Sequence, residues 1–341
     1  MNPLFFKRWN RFKSLRRSFW SLVILMGAIF LSLFAELLMN HRAIFVNYKG
    51  QWHFPTYQYL EAQTFGEEGT QEPKYRELKT KLSENGEGFV LMPLVPYGPF
   101  ESDFTETPPP HAPSSRHWLG TDDQGRDILV RLFYGFRIAI FFSLILTIVG
   151  FIIGIWIGAL SGYFGGWVDL SFQRIIEIWS TVPFLYLCIY VASLITPNFW
   201  ILLCLLLFFS WISISYYIRT EVMREKEKDY CLAAQSCGAS SSRIIFKHLL
   251  PNSMVPVISS FPFAIVRGIT SLTSLDFLGY GLPPPTPSWG GLMQQGLQYL
   301  HNAWWITLFS FLAITITLLL VTFIGEGIRE ALDPKHFSKY Q

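Results

Sequence analysis

The feature that most constrains this chain is a set of six apolar runs, each long enough to cross a bilayer. A membrane-spanning helix needs about 20 mostly apolar residues, because a helix rises about 1.5 Å per residue and the hydrocarbon core is about 30 Å thick. Of the 341 residues, 51% are hydrophobic and only 15% are charged. The sequence therefore predicts an all-α polytopic membrane protein with six transmembrane helices rather than two soluble domains. We place these helices at Phe19–Leu38, Ile138–Leu160, Ile175–Ile195, Phe199–Ile218, Val255–Leu275 and Trp304–Ile324.

Basic residues indicate which helix ends face the cytoplasm. Residues 1–17 carry six basic residues and no acid, and residues 36–40 offer no small-residue cleavage pattern typical of a signal peptide. The segment between the fourth and fifth runs is also basic, whereas the loop from Asp276 to Ala303 contains no Lys or Arg. Both termini are therefore predicted to be cytoplasmic. We expect the basic arm to meet membrane lipid, with nucleic acid as the weaker alternative.

A hydrophilic region, residues 41–116, separates the arm and first helix (1–40) from the membrane domain (117–341). It carries seven basic and ten acidic residues, a net charge of −3. With the N-terminus inside, this region is a large periplasmic loop. Alternating residues in 43–48 and 51–59 predict short strands. Two compatible interpretations are a folded cover over the outer end of the helices and a contact for a soluble protein.

The stretch from His117 to Gly135 precedes the second run. Gly120 and Gly125 allow turns, and Thr121 or Asp122 is suited to cap a helix. An apolar stripe follows and predicts a helix lying in the membrane interface; it consists of Ile128, Leu129, Leu132 and Phe133. The stretch also holds acidic side chains. A cation site is one interpretation of them, but capping and pairing with neighbouring arginines is simpler; the acids are Asp122, Asp123 and Asp127 and the arginines Arg126 and Arg131.

Small and charged residues within the apolar runs are candidates for helix packing and for function. In the second run, glycine recurs every fourth residue, which allows another helix to pack closely against one face; the glycines are Gly150, Gly154, Gly158 and Gly162. Pro183 is expected to kink the third helix. Glu177 in that helix and Arg267 in the fifth are intramembrane charges. An isolated charge in hydrocarbon is costly, so two interpretations of Arg267 are open. It lines a pore, or it pairs with another group or extends its charged end to the membrane surface.

The segment Asp229–Asn252 is polar and partly amphipathic and joins the fourth and fifth runs. Ala233 and Ala234 predict a small-residue helix surface, and Gly238 a bend. Apolar residues then recur at helical spacing, and Pro251 is expected to end the second helical piece. The sequence predicts a short helix–turn–helix at the membrane surface, with a notch that another protein can approach closely.

This segment resembles the coupling segment of ABC importer permeases. The family pattern of Glu-Ala-Ala, three residues, Gly and a terminal Leu-Pro is matched here by Leu232-Ala233-Ala234, Gly238 and Leu250-Pro251, with Leu232 in place of the Glu. The stretches 117–135, 162–185 and 274–290 also resemble dipeptide and oligopeptide permeases. The long outer loop resembles the Yej-type branch, the inner-membrane permeases of microcin C and oligopeptide uptake.

The resemblance implies a multi-pass protein of the bacterial inner membrane that forms half of a peptide translocation pore. The implied partners are a second, similar permease, two cytoplasmic ATPase subunits or domains and a periplasmic peptide-binding protein. The segment Asp229–Asn252 would dock into an ATPase groove. The chain contains no Gly-Lys pair and hence no phosphate-binding loop. We therefore expect no cofactor and no enzymatic activity of its own, with ATP bound by a partner chain.

Two other classes of membrane protein share features with this sequence. An intramembrane serine protease would use a Gly-x-Ser motif, and Gly238-Ala-Ser240 has those letters, but the neighbouring Lys228, Arg243 and Lys247 keep it out of hydrocarbon. An ion-coupled secondary transporter is the better alternative. It leaves the small-residue segment unexplained, and the sequence shows no inverted repeat.

Overall fold

The computed structural model describes residues 3–104 and 108–333 and shows a mainly helical chain. Five helices are long and apolar enough to cross a membrane, or up to six if one bent pair counts as a single span. The helices are α1 Pro3–Ser14, α2 Arg16–Leu33, α3 Ala35–Leu38, α4 Tyr75–Asn85, α5 Ile128–Phe164, α6 Gly166–Ser180, α7 Phe184–Leu194, α8 Phe199–Lys226, α9 Asp229–Ser236, α10 Ser241–Arg243, α11 Leu250–Phe277, α12 Trp289–Gln298 and α13 Trp304–Leu332.

The hydrophilic region 41–116, called the outer region here after its predicted side, contains a small β-sheet. The short strands predicted for residues 43–48 and 51–59 are confirmed, and the fold is not all-α in this region. Antiparallel strands lie in the order β2-β1-β3, with β1 at Phe45–Tyr48, β2 at Gln51–His53 and β3 at Gly88–Leu91. Lys49 and Gly50 have φ of 49° and 84°, the left-handed backbone that a two-residue hairpin turn requires. One sheet face packs against α4, and a short 3₁₀ helix, Ala62–Phe65, closes this core.

The membrane bundle is built around α5, a continuous helix of 37 residues. The prediction of a separate interfacial helix before the second span is wrong, because helix formation starts at Ile128 and is not interrupted. Its N-cap is Asp127, whose side chain accepts a hydrogen bond from the Val130 amide at 3.0 Å, rather than Thr121 or Asp122. The main apolar core joins α5 with α8, α11, α12 and α13.

The third predicted span is not one straight helix. Helices α6 and α7 are separated by three residues and bent by 66°. Pro183 is the residue before α7 and has extended backbone angles (φ −69°, ψ 108°). A proline also disfavours helical geometry in the residue that precedes it, here Val182. The expected kink is therefore a full break between two helices.

The outer end of the bundle is closed by α12 and the loop before it. The Trp289 indole donates to the Leu132 carbonyl at 2.9 Å, which fastens α12 to α5. At the other end, α1 lies against the last turns of α13, where Arg11 forms an ion pair with Glu330 at 2.7 Å. The basic N-terminal arm is thus a helix docked on the last span.

Candidate coupling surface and intramembrane cavity

The segment between α8 and α11 forms two helical pieces with a turn, as its sequence predicts. Helix α9 ends before Gly238, which has a φ of 75°. The Gly238 amide donates to the Gln235 carbonyl at 2.9 Å and the Ala239 amide to the Ala234 carbonyl at 3.1 Å, so the last turn is closed by a left-handed cap. The Ser240 side chain then caps α10 by accepting from the Arg243 amide at 3.4 Å.

One face of this segment is anchored in a second apolar core. Cys231 from α9 is fully buried. It clusters with the π-helical turn Ile244–Leu249 and with the inner ends of α5 and α8. The buried side chains of that turn are Ile244, Ile245 and Leu249. The segment is therefore fixed to the bundle rather than hanging from it as a loose loop.

Polar contacts strengthen the anchor. Glu225, which is buried at the end of α8, accepts hydrogen bonds from Lys228 at 2.6 Å and from the Tyr230 hydroxyl at 2.7 Å. Lys226 donates to the Tyr163 carbonyl at 2.6 Å and so ties the end of α8 to the end of α5. A movement of α9 is thereby coupled to both membrane helices.

The opposite face of α9 is open. Leu232 is 49% exposed, Ala233 and Gly238 are exposed, and Ala234 is half-buried. Nothing lies within 4 Å of the position that a Cβ of Gly238 would occupy. We define the coupling surface as Leu232, Ala233, Ala234 and Gly238, a small apolar surface that nothing in the described part of this chain covers.

The expectation that Pro251 ends the second helical piece is wrong. Residues Ser241–Phe277 form one helix of 37 residues that passes from the coupling segment into the fifth span. Pro251 lies exposed directly after the π-helical turn, where the regular α-helical hydrogen-bonding pattern of this long helix is interrupted. Leu250 is half-buried against the second core. The two residues therefore join the coupling segment to α11.

All four glycines of the second span face α8. A Cβ on Gly154 would lie 2.5 Å from the Trp211 carbonyl, and one on Gly162 would lie 2.7 Å from the Arg219 carbonyl. Cβ atoms on Gly150 and Gly158 would likewise collide with α8, at Ser210 and Ser215. Helices α5 and α8 thus approach backbone to backbone over four turns.

Sequence reasoning missed a charged clamp at the inner end of this helix pair. Arg219 on α8 makes a two-point contact with Asp169 on α6, with distances of 2.5 and 2.6 Å. Asp169 also accepts from the Ser161 hydroxyl of α5. Three helices meet at one carboxylate. The signal was an Asp four residues after the paired glycines Gly165-Gly166, where α6 begins.

Two of the three acids of this stretch follow the simpler interpretation of their sequence, since Asp122 pairs with the arginines and Asp127 caps α5. Asp122 lies 2.8 Å from Arg126 and 3.4 Å from Arg131, and all three side chains are buried. Burial and the Asp122 charge raise the pKa of Asp123. The described residues contain no group of three or more His, Cys, Asp or Glu side chains that could hold a metal ion.

A histidine that sequence reasoning did not single out lies beside this network. His117 is buried between two carboxylates, at 3.3 Å from Asp103 and 2.8 Å from Asp127. Because Asp127 also caps α5, this contact ties the outer loop to the start of α5.

The two predicted intramembrane charges have different surroundings. Glu177 is exposed on α6 and paired with Arg174, one turn before it. Arg267 on α11 lines a cavity of about 220 Å³ between α5, α8 and α11, with Phe184 of α7 also in its lining. The structure does not bring the two charges together.

The bundle of five or six apolar spans is the architecture of a multi-pass membrane protein, and α9 is a helix buried on one face and exposed on the other. The chain belongs to the family of binding-protein-dependent transport system inner membrane components, whose pattern matches residues 150–337. The chain is 42% identical over 337 residues to the inner membrane ABC transporter permease protein YejE of Escherichia coli strain K12, covering 98% of both chains.

Other relatives are also permease proteins of transport systems. The chain is 37% identical to the peptidoglycan transport system permease protein YejE of Agrobacterium fabrum, covering 98% of this chain and 94% of the relative. It is 35% identical to the dipeptide transport system permease protein DppC of Bacillus subtilis, over 71% and 75% of the two chains. A solved chain of the MetNI methionine ABC transporter, in an inward-facing conformation, shares the fold with a TM-score of 0.50 and 17% identity, over 60% of this chain and 96% of that chain.

The resemblance inferred from sequence motifs is therefore confirmed. The chain is a multi-pass permease subunit of an ABC importer in the inner membrane.

Proposed function

We propose that this chain forms half of the translocation pore of an ATP-driven peptide importer, with α9 as the element through which a separate ATPase drives the pore. The observation that carries the proposal is the coupling surface, an exposed patch of small apolar residues on a helix whose other face is buried in the bundle. Exposed apolar residues on an anchored element are typical of a docking site for another protein.

The proposed partners are supported by the exposed coupling surface and by the family. The proposed assembly contains a second, similar permease, two ATPase subunits or domains on the cytoplasmic side and a periplasmic peptide-binding protein. ATP is bound and hydrolysed by the ATPase chains, and this chain contributes no cofactor and no catalytic residue. Peptides as cargo are supported by relatives named for dipeptide and peptidoglycan transport. Oligopeptides and microcin C-like peptides belong to the same substrate class.

The proposed mechanism is alternating access. Closure of the ATPase pair moves α9, and the buried contacts of Cys231 and Glu225 transmit that movement to the inner ends of α5 and α8. The continuous helix from Ser241 to Phe277 carries it into the fifth span. An anchored α9 is needed for this, because a flexible loop would absorb the movement instead of transmitting it.

The test compares two leucine-to-arginine variants in a tagged chain expressed with its neighbouring genes. Leu232 is 49% exposed on the coupling surface, and Leu94 is 70% exposed in the outer region. Both variants keep their backbone contacts and should fold. We expect Leu232→Arg to reduce ATPase co-purification and ATP-driven peptide uptake at least about tenfold, since a charge placed in an apolar interface loses its hydration. Leu94→Arg should retain the ATPase.

Equal recovery of the ATPase with Leu232→Arg and with the wild type would contradict the proposal. A stable wild-type chain that binds no ATPase, and whose uptake depends on an ion gradient, would replace it with a secondary transporter.

A further inference from the structure

The cavity beside Arg267 is polar although it lies inside the membrane bundle. Four hydroxyl side chains line it together with the arginine, amid apolar residues from α5, α8 and α11; the hydroxyls belong to Thr147, Ser210, Ser213 and Ser271. Its volume of about 220 Å³ is room for several water molecules at about 30 Å³ each. It is therefore large enough for a carboxylate and the groups next to it.

The Arg267 side chain has no acidic partner among the described residues. It is exposed on the isolated subunit, and none of the residues that the structure describes forms a hydrogen bond or ion pair with it. On the same face of α11, Thr270 and Ser274 are also exposed. The Thr270 hydroxyl donates to the Val266 carbonyl at 2.9 Å, so the cost of placing this face against lipid tails comes mainly from the arginine. This face therefore points to a wet path or to a partner, not to lipid.

Thr147 gives a second, independent sign that the cavity is built for a polar guest. Its hydroxyl oxygen is buried and has no hydrogen-bond partner among the described residues. An unpaired buried hydroxyl costs free energy in an empty site and regains it when a ligand supplies the missing partner. A cavity with a donor arginine and an unpaired hydroxyl thus suits a negatively charged acceptor.

We propose that this cavity holds a carboxylate of the peptide during transit, with Arg267 as its charge partner and Thr147 as an additional donor. The proposal rests on the proposed function, and it names a contact that the permease makes with its cargo. A guanidinium matches a carboxylate with two parallel hydrogen bonds. Thr147 is buried and lines the same cavity, which favours a ligand that enters the cavity over a residue of the second permease that meets only the exposed face of α11.

The experiment uses the complete complex in proteoliposomes with its binding protein and two fluorescent tripeptides without acidic side chains. One has a free C-terminal carboxylate and the other a C-terminal amide. Uptake by each variant is divided by wild-type uptake of the same peptide, so that any preference of the binding protein cancels. Arg267→Gln should lower uptake of the free acid about tenfold and that of the amide less than about twofold. Arg267→Lys should be intermediate.

Two further variants separate ligand binding from structure. Thr147→Val keeps the shape but removes the unpaired hydroxyl, so it should lower free-acid uptake about threefold without lowering the melting temperature of the complex. Ser259→Ala is the matched control on α11, because its hydroxyl already donates to the Pro256 carbonyl at 2.9 Å. It should leave the ratio between the two peptides unchanged.

Equal loss of both peptides in Arg267→Gln would assign the arginine to a pairing with the second permease and overturn the inference, as would undiminished uptake of the free acid. If Arg267→Gln does not assemble, the test uses Arg267→Lys and Thr147→Val instead. A larger loss of free-acid uptake than of amide uptake in these variants would support the inference, and an equal loss would overturn it. A wild-type complex that imports neither peptide would overturn the proposed function and this inference with it.

Discussion

Asp122 and Asp123 are adjacent carboxylates in opposite electrostatic situations. Asp122 accepts hydrogen bonds from the Gln124 and Arg126 amides at 2.9 Å each and pairs with two buried guanidinium groups. One oxygen of Asp123 is buried without a hydrogen-bond partner among the described residues. Burial and the charge of Asp122 raise the pKa of Asp123. The first carboxylate stabilises the outer loop, and the second destabilises it when charged.

Opposite effects are therefore expected from the two asparagine substitutions. Asp122→Asn should lower the free energy of unfolding by about 3 kcal/mol, because it leaves two buried arginines without their counter-charge. Asp123→Asn should raise the melting temperature at neutral pH. The folded-state pKa of Asp123 is raised, so its penalty is present at high pH and disappears as the pH falls through that pKa.

Thermal melts of the detergent-solubilised protein from about pH 8 down to about pH 4 measure both effects. The gain from Asp123→Asn should shrink steadily toward the acidic end. A gain independent of pH, or a loss at neutral pH, would show that the Asp123 carboxylate is not the strained group.

Residue roles at this site were only partly predictable. The sequence indicated that these acids pair with Arg126 and Arg131, since opposite charges at short spacing are visible in a linear chain; the pairing is confirmed for Asp122 and is not formed by Asp123. It did not indicate that Asp127, rather than Thr121 or Asp122, caps α5. That choice depends on the turn in which Asp122 binds the amides of Gln124 and Arg126, and on the tertiary contact of Asp127 with His117.

Among the elements, the pairing of α5 with α8 depends on glycine. Gly154→Ala should cost about 1–3 kcal/mol, because the added Cβ would lie 2.5 Å from the Trp211 carbonyl and neither backbone can move without separating the helices. The matched control is Gly27→Ala in α2, where nothing lies within 4 Å of the added atom. That change should be neutral or stabilising by up to about 1 kcal/mol.

The measurement is the melting temperature of each purified variant by intrinsic fluorescence. If the Gly154→Ala protein had the same melting temperature as the Gly27→Ala protein, α5 and α8 would not be in close contact in solution.

The sequence predicted which helices exist better than it predicted where they begin and end. Apolar length located the spans, and four-residue glycine spacing indicated a close helix face. The same cues did not show that Pro183 divides its run into α6 and α7, or that Pro251 continues a helix that its neighbours had already begun. A proline's effect depends on whether its amide position needs a partner, and only the surrounding backbone decides that. The sheet β2-β1-β3 was foreseen as short strands, but β3 is distant in sequence and was missed.

For the whole molecule, ATP-driven transport requires one orientation in the membrane. The coupling surface must face the cytoplasm, and the outer region with its sheet must face the periplasm. Charge distribution supports this, because the coupling segment is basic and the loop from Asp276 to Ala303 has no Lys or Arg. An ATPase can drive the pore only if it reaches α9 from inside.

The thiols of this chain provide a direct probe of that arrangement. Cys237 is exposed at the end of α9, next to the coupling surface. Cys231 is buried, and burial raises the pKa of its thiol, which keeps it unreactive. Cys188 and Cys204 lie in α7 and α8, within apolar runs that a charged reagent does not enter. A membrane-impermeant maleimide therefore reports on Cys237, with Cys237→Ser as the control.

The decisive measurement is labelling of Cys237 in spheroplasts and in inside-out vesicles, with the ATPase bound and after it has been stripped. We expect labelling only in inside-out vesicles, and at least about a fivefold decrease when the ATPase is bound, since a protein interface excludes the reagent. Labelling from the periplasmic side, or labelling that the ATPase does not change, would contradict the claim that α9 couples this permease to ATP hydrolysis.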